Sequence, residues 1–172
     1  MNPAMAIFGE ASSTAIAGFI LAVVSFLIQF IGFVTPYWTY ISIGDTTFNK
    51  GLWLGCILRD DKSKCTSISC DDTHACEGSF IAARYIAPLN FIVLLAAVVI
   101  VALKMFVFKD KPILRSVGVS CCFIAGTFGL ITTIAFGARH DVDAEDLNFS
   151  FAFYIIAAAG SYLSGSLLVA GK

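Results

Sequence analysis

Apolar side chains come in four long runs that no Asp, Glu, Lys or Arg interrupts, at residues 11–44, 85–103, 116–138 and 147–171. Each is longer than the roughly 18 residues that mark a spanning helix, and a bilayer needs about 20. The pattern predicts membrane helices at residues 14–35, 81–103, 113–136 and 150–170. The first run has no basic stretch before it and outlasts the roughly 7–15-residue apolar core of a cleavable signal peptide, so it is expected to remain as the first span. What is left is one long connection at 36–80, two short ones at 104–112 and 137–149, and no room for a soluble domain.

The long connection has a different rhythm. Residues 37–43 and 46–48 are rich in aromatic and β-branched side chains around Gly44-Asp45, a glycine-first pair suited to a type II′ hairpin. Arg59-Asp60-Asp61-Lys62 offers a second turn between residues 52–58 and 63–69. Closing the chain there sets Leu58 opposite Ser63, Ile57 opposite Lys64 and Cys56 opposite Cys65. Directly opposed residues of an antiparallel pair are about 4.5–5.5 Å apart at Cα, within disulfide reach. The register therefore predicts a Cys56–Cys65 disulfide, which leaves Cys70 to pair with Cys76. The expected architecture is a four-transmembrane-helix bundle carrying a small extracellular antiparallel β-sheet, an all-α membrane fold with a little β, in a single domain over 1–172.

Composition agrees: 58% of residues are hydrophobic and 13% charged, and the mean hydropathy is +0.86, which excludes an ordinary water-soluble domain. Charge alone does not orient the chain, because the side holding both termini carries 5 bases and the other side 6. Sulfur does. Cys56, Cys65, Cys70 and Cys76 crowd one loop without the close paired spacing of common zinc modules, so disulfides in an oxidising compartment are expected. The long connection is then extracellular with a net charge of −4 outside, and the termini are cytoplasmic with +3 inside.

Little points to catalysis. The two histidines, His74 and His140, sit beside acids in loops, and no metalloprotease, hydrolase or phosphate-loop motif occurs. No enzyme activity, metal, cofactor or nucleic-acid partner is expected. The four charge-free runs lack the acids and bases that pumps and voltage sensors use within lipid. Gln29 and Asn90 are their strongest polar groups and are expected to hydrogen-bond between helices. Gly118, Cys122 and Gly126, and Ala157, Ser161 and Gly165, form small-residue faces that fit packing within the bundle or against another subunit. Cys121 and Cys122 are expected to pack rather than carry lipid. The sequon Asn148-Phe149-Ser150 lies at the membrane edge and is expected to be unmodified.

Trp38, Gly51-Leu52-Trp53, Cys56 and Cys65 resemble the W…GLW…C…C signature of the claudin superfamily, which includes claudins, peripheral myelin proteins, and stargazin-like and calcium-channel gamma subunits. Ala82-Ala83-Arg84 is similar to the arginine-bearing start of the second claudin helix, and Phe149-Ser150-Phe151 resembles the start of the fourth. Trp38 and Trp53 are expected at the outer interface with their rings packed and their indole N–H groups hydrated. Arg84 is expected to act as a structural clamp. The sequence departs from many claudins in its short second loop, which lacks an aromatic–proline pattern, in the Cys70–Cys76 pair, and in its last residues, Val169-Ala170-Gly171-Lys172, which do not match a scaffold-binding ending, so that either the tail lies beyond this sequence or scaffold binding is absent.

The resemblance implies a multi-pass plasma-membrane protein of cell–cell junctions, self-associating in cis and in trans to form a paracellular barrier or pore. Arg59, Asp60 and Asp61 match the stretch that helps set ion selectivity in claudins, and the extracellular net of −4 would favour cations. The other function the resemblance implies is an auxiliary subunit of a channel or receptor.

Overall fold

The computed structural model describes residues 12–60, 62–70, 76–139 and 142–171. Asp61, Asp71, Asp72, His74, His140 and Lys172 lie outside these residues. Four helices are long and apolar enough to cross a membrane: α1 (Ser13–Val34), α2 (Gly78–Phe106), α3 (Pro112–Gly137) and α4 (Phe149–Ala170). Four strands, β1 (Thr39–Ile43), β2 (Thr46–Lys50), β3 (Leu54–Arg59) and β4 (Lys62–Ser67), make one antiparallel sheet in the order β1-β2-β3-β4. The fold expected from the sequence is the fold observed.

Local chemistry sets the helix ends. Ser12 caps α1 by accepting from the Ala15 amide at 3.3 Å, and Pro36 stops it because the residue before a proline is pushed out of helical geometry. Pro112 opens α3, where its missing N–H costs nothing. Asn148 caps α4, its side-chain oxygen accepting from the Phe149 amide at 2.7 Å. The largest departure from the expected bounds is α2, whose 29 residues span about 43 Å at 1.5 Å per residue. A hydropathy pattern ends where charge begins, whereas the helix continues past it at both ends, through Ser79 at one and Lys104 at the other.

The helices form a ring in which α1 touches α2 and α4, and α3 touches α2 and α4. Phe91 of α2 fills the α1–α2 seam, its ring 5.0, 5.9 and 5.4 Å from those of Phe26, Phe30 and Phe33. Elsewhere small residues let backbones approach. A methyl at Gly126 would lie 2.8 Å from the Tyr162 ring, and one at Gly165 would lie 3.1 Å from Phe123. Both small-residue faces are therefore used inside the bundle.

Two apolar clusters fill the interior, an outer one around Trp38, Leu52, Phe80, Phe136 and Tyr154 and an inner one around Leu94, Ala97, Val101, Cys122 and Leu168. A polar knot lies between them. Gln29 Nε2 donates to Tyr154 Oη (3.5 Å), and Tyr154 donates to the Ala87 carbonyl (3.3 Å). With the Asn90 amide turned so that its nitrogen faces an acceptor and its oxygen faces donors, it donates to the Ala125 carbonyl (2.8 Å) and accepts from the Gly129 amide (3.2 Å) and from Gln29 Nε2 (3.1 Å). All four helices contribute, and the side chains of Gln29, Asn90 and Tyr154 are buried together.

Candidate functional site

The sheet rises from the outer end of the bundle, and three contiguous residues seat it there. Gly51 lies so close to the end of α1 that a methyl would come 2.6 Å from the Thr35 carbonyl oxygen and 2.7 Å from Pro36 Cα. Leu52 is fully buried among Trp38, Phe80 and Phe136. Trp53 packs its ring at 5.3 Å from Phe33 and under the Arg84 guanidinium at 5.1 Å. Because backbone rather than a flexible side chain faces Gly51, Gly51→Ala is expected to lower stability by about 1–3 kcal/mol in a denaturation experiment in detergent. Gly78→Ala, where nothing lies within 4 Å, should leave stability unchanged or raise it.

The Trp38 ring packs at the junction of sheet and bundle, but its indole N–H is not hydrated as expected. It is fully buried, ringed by Phe136 at 4.6 Å, Tyr154 at 5.0 Å and Phe151 at 6.0 Å. Its indole N–H does not meet water but donates to the Gly32 carbonyl at 2.7 Å. The reason is proline chemistry. In a continuing helix the Gly32 carbonyl would accept from residue 36, but Pro36 has no N–H, and Trp38 supplies the missing donor. The Trp53 Nε1 is also buried, without a hydrogen-bond partner among the described residues.

The register carries the disulfide as expected: Cys56 pairs with Cys65, Ile57 with Lys64 and Leu58 with Ser63. The strands run one pair further than the four-residue turn suggested, to Arg59 and Lys62, and Asp60 absorbs the tight reversal with φ +49°. Gly44 has φ +58° between the paired Ile43 and Thr46, which fits the glycine-first hairpin. Cys56–Cys65 staples β3 to β4, and Cys70–Cys76 ties the exit of β4 to the approach to α2. Arg84 reinforces that exit, donating to the Ile68 carbonyl at 3.0 Å and to Cys70 Sγ at 3.1 Å.

Arg139 is a residue that sequence reasoning passed over as one more external base. It is buried, 4% exposed, with its guanidinium 4.8 Å from the Phe80 ring and 5.0 Å from Phe136. Arg84 approaches the same Phe80 at 5.7 Å and Lys50 at 5.1 Å, so three cations surround one phenyl ring at the outer mouth of the bundle. Such contacts gain strength where water is excluded. The available signal was position: Arg84 and Arg139 each border a charge-free run at its outer end.

No family model and no curated protein matches the chain. Function must therefore be argued from the surface of the sheet. Cross-strand partners share a face, so Ile41, Phe48, Ile57 and Lys64 form one row, and Ile43, Thr46, Arg59 and Lys62 form the row beyond it. Ile43 is 67% exposed, Ile57 47% and Phe48 37%. Tyr40, Leu54 and Leu58 stand exposed on the opposite face. The candidate selectivity residues Arg59 and Asp60 make a 3.6 Å ion pair at the far turn, their side chains 73% and 80% exposed. A pair so solvated contributes little to stability. Among its described residues the second connection forms one 3₁₀ turn, Ala144–Asp146, that lies beside β1, with Leu147 bridged to Thr39. In the sequon, Asn148 is the cap of α4 and the buried Ser150 hydroxyl shares a 2.7 Å hydrogen bond with Thr35.

Proposed function

We propose that this chain is a claudin-like protein of cell–cell junctions, whose extracellular sheet associates with other copies to form a paracellular barrier or ion-selective pore. The observation that carries the reading is the exposed apolar surface of the sheet, Ile43, Phe48 and Ile57, on a scaffold stiffened by two disulfides. A soluble surface gains nothing from such a row unless it is covered by a partner. The deciding experiment expresses the protein in cells that lack junctional strands and images their contacts by freeze fracture. Strands at contacts support the reading, and smooth membranes reject it.

One observation favours an auxiliary subunit of a channel or receptor instead. The second connection lies flat along β1, so among the described residues nothing from it projects towards an opposing cell. The two readings part on ion flow. Both far turns bring acids to one end of the sheet, Asp45 beside Gly44 and Asp60 beside Arg59. A confined passage at that rim concentrates cations. The expected result is a sodium-over-chloride dilution potential across a monolayer, reduced by Asp60→Asn/Asp61→Asn. Wild-type potentials equal to those of untransfected cells would favour the auxiliary subunit.

The disulfides also orient the reading, with the sheet outside the plasma membrane and the termini in the cytoplasm. An epitope between Asp71 and Asp72 should bind antibody on intact cells, whereas one beside Asp110 should need permeabilisation. The reverse pattern would remove the oxidising compartment on which the disulfides depend.

A further inference from the structure

The end of the bundle away from the sheet carries a short basic turn. Residues 107–111 join α2 to α3, and residues 104–115 hold four bases against one acid. Two of the bases work inside the fold. Lys104 Nζ donates to the Lys109 carbonyl and closes the turn over the end of α2. Arg115 donates through Nε and Nη2 to the Leu168 carbonyl (2.9 and 2.6 Å) and through Nη2 to the Val169 carbonyl (2.7 Å). It thereby serves the last turn of α4, where a helix leaves carbonyls without amide donors. The other two bases, Lys109 and Lys111, are exposed, and neither has an ion-pair partner among the described residues. The backbone makes no demand on them either, since the Val107 and Phe108 amides donate to the Leu103 carbonyl at 3.0 and 2.8 Å and the Lys111 amide donates to the Phe108 carbonyl at 3.2 Å.

Apolar surface runs up to these lysines without a break. Val107 and Ile113 are 60% and 68% exposed, and Phe108 is exposed too. Leu103 lies four residues before Val107 and Val117 four after Ile113, both exposed, so the lipid-covered faces of two spans continue into the turn. So short a connection cannot carry its charges clear of the membrane surface. Lys109 and Lys111 therefore stand at the level of the headgroups, with hydrocarbon-seeking side chains just beneath them.

We propose that Lys109 and Lys111 hold the phosphate of an anionic phospholipid, whose acyl chains lie along Val107 and Ile113. Two ammonium groups flank one connection, and a phosphate offers oxygens enough to accept from both. A zwitterionic headgroup also has a phosphate, but it brings a quaternary ammonium that the lysines repel. An even number of spans places this turn on the same side as the start of α1 and the end of α4. On the topology proposed above that side is the cytoplasmic leaflet, where anionic lipids concentrate. The site gathers such lipid around the bundle whether or not the chain works at junctions.

The test uses the full chain in phosphatidylcholine vesicles that contain a minor fraction of phosphatidylserine with a photoactivatable diazirine in one chain. After illumination, peptide mapping should place the label within residues 106–113. Unlabelled phosphatidylserine should compete at least about fivefold better than phosphatidylcholine, because one lysine near an anionic headgroup is worth about that factor. Lys109→Gln/Lys111→Gln should abolish the preference, and Lys109→Arg/Lys111→Arg should keep it. Lys62→Gln/Lys64→Gln on the sheet should leave it unchanged. Raising salt from about 50 mM to about 500 mM should weaken it, as screening shortens to a few ångströms. An intact Cys56–Cys65 bond verifies folding in each variant. Equal competition by phosphatidylcholine would reveal an ordinary apolar annulus, and full competition by inorganic phosphate a site for free anions. Either result would overturn the proposal, as would a preference that survives Lys109→Gln/Lys111→Gln. Vesicles have no cell contacts, so this proposal and the junctional reading fail separately.

Discussion

Trp38→Ala will lower the stability of the protein by about 3–5 kcal/mol, the cost of emptying a fully buried aromatic site. The change removes three ring contacts at once, to Phe136, Tyr154 and Phe151. It also removes the one donor that serves the Gly32 carbonyl. Trp38→Phe separates these effects. It keeps most of the ring packing and loses the hydrogen bond, so a cost of about 1–3 kcal/mol is expected from the stranded acceptor. Denaturation in mixed micelles, followed by intrinsic fluorescence of Trp53, measures both. Equal stability of Trp38→Phe and wild type would remove the role given to the indole N–H.

Cys56→Ser should cost about 2–4 kcal/mol through the denatured chain, which regains the freedom of the loop the bond closes. Cys65 is exposed on β4 and would become a free thiol, which on the topology proposed above a membrane-impermeant maleimide should label on intact cells. Non-reducing peptide mapping of the wild type checks the premise directly. Recovery of Cys56 joined to Cys70 or Cys76 would break the register of β3 and β4, and with it the position of Lys62 and Lys64.

Much of the architecture was legible in one dimension because its causes are local or periodic. An uninterrupted apolar run answers to bilayer thickness, so the four spans could be placed within a few residues of α1 to α4. The β3–β4 register followed from a charged turn and the distances of two cysteines from it. What could not be read depends on rotation and depth. Gln29 and Asn90 were visible as polar residues in lipid, but their meeting with Tyr154 depends on how three helices are turned about their axes. Arg139 counts as an external base in any tally and is buried because Phe80 and Phe136 reach it from two helices. The indole N–H of Trp38 was misjudged, since tryptophan in a membrane protein suggests a hydrated indole. A stricter accounting of backbone acceptors would have corrected this, because Pro36 follows Gly32 by four residues and leaves one carbonyl in need of a donor.

The knot of Gln29, Asn90 and Tyr154 bears on how the chain assembles. Helices that insert one by one must afterwards find their neighbours in a solvent that rewards no apolar contact over another. Swapping two helices in the ring would still cover leucine with leucine, but it would strand amide groups in hydrocarbon, where neither lipid nor water can satisfy them. The three side chains thus work as a lock that only one helix order opens. That order also determines where the outer end of each helix stands. A bundle closed correctly at this knot therefore presents the seat for Gly51, Leu52 and Trp53, and a misassembled one has nowhere to put the sheet.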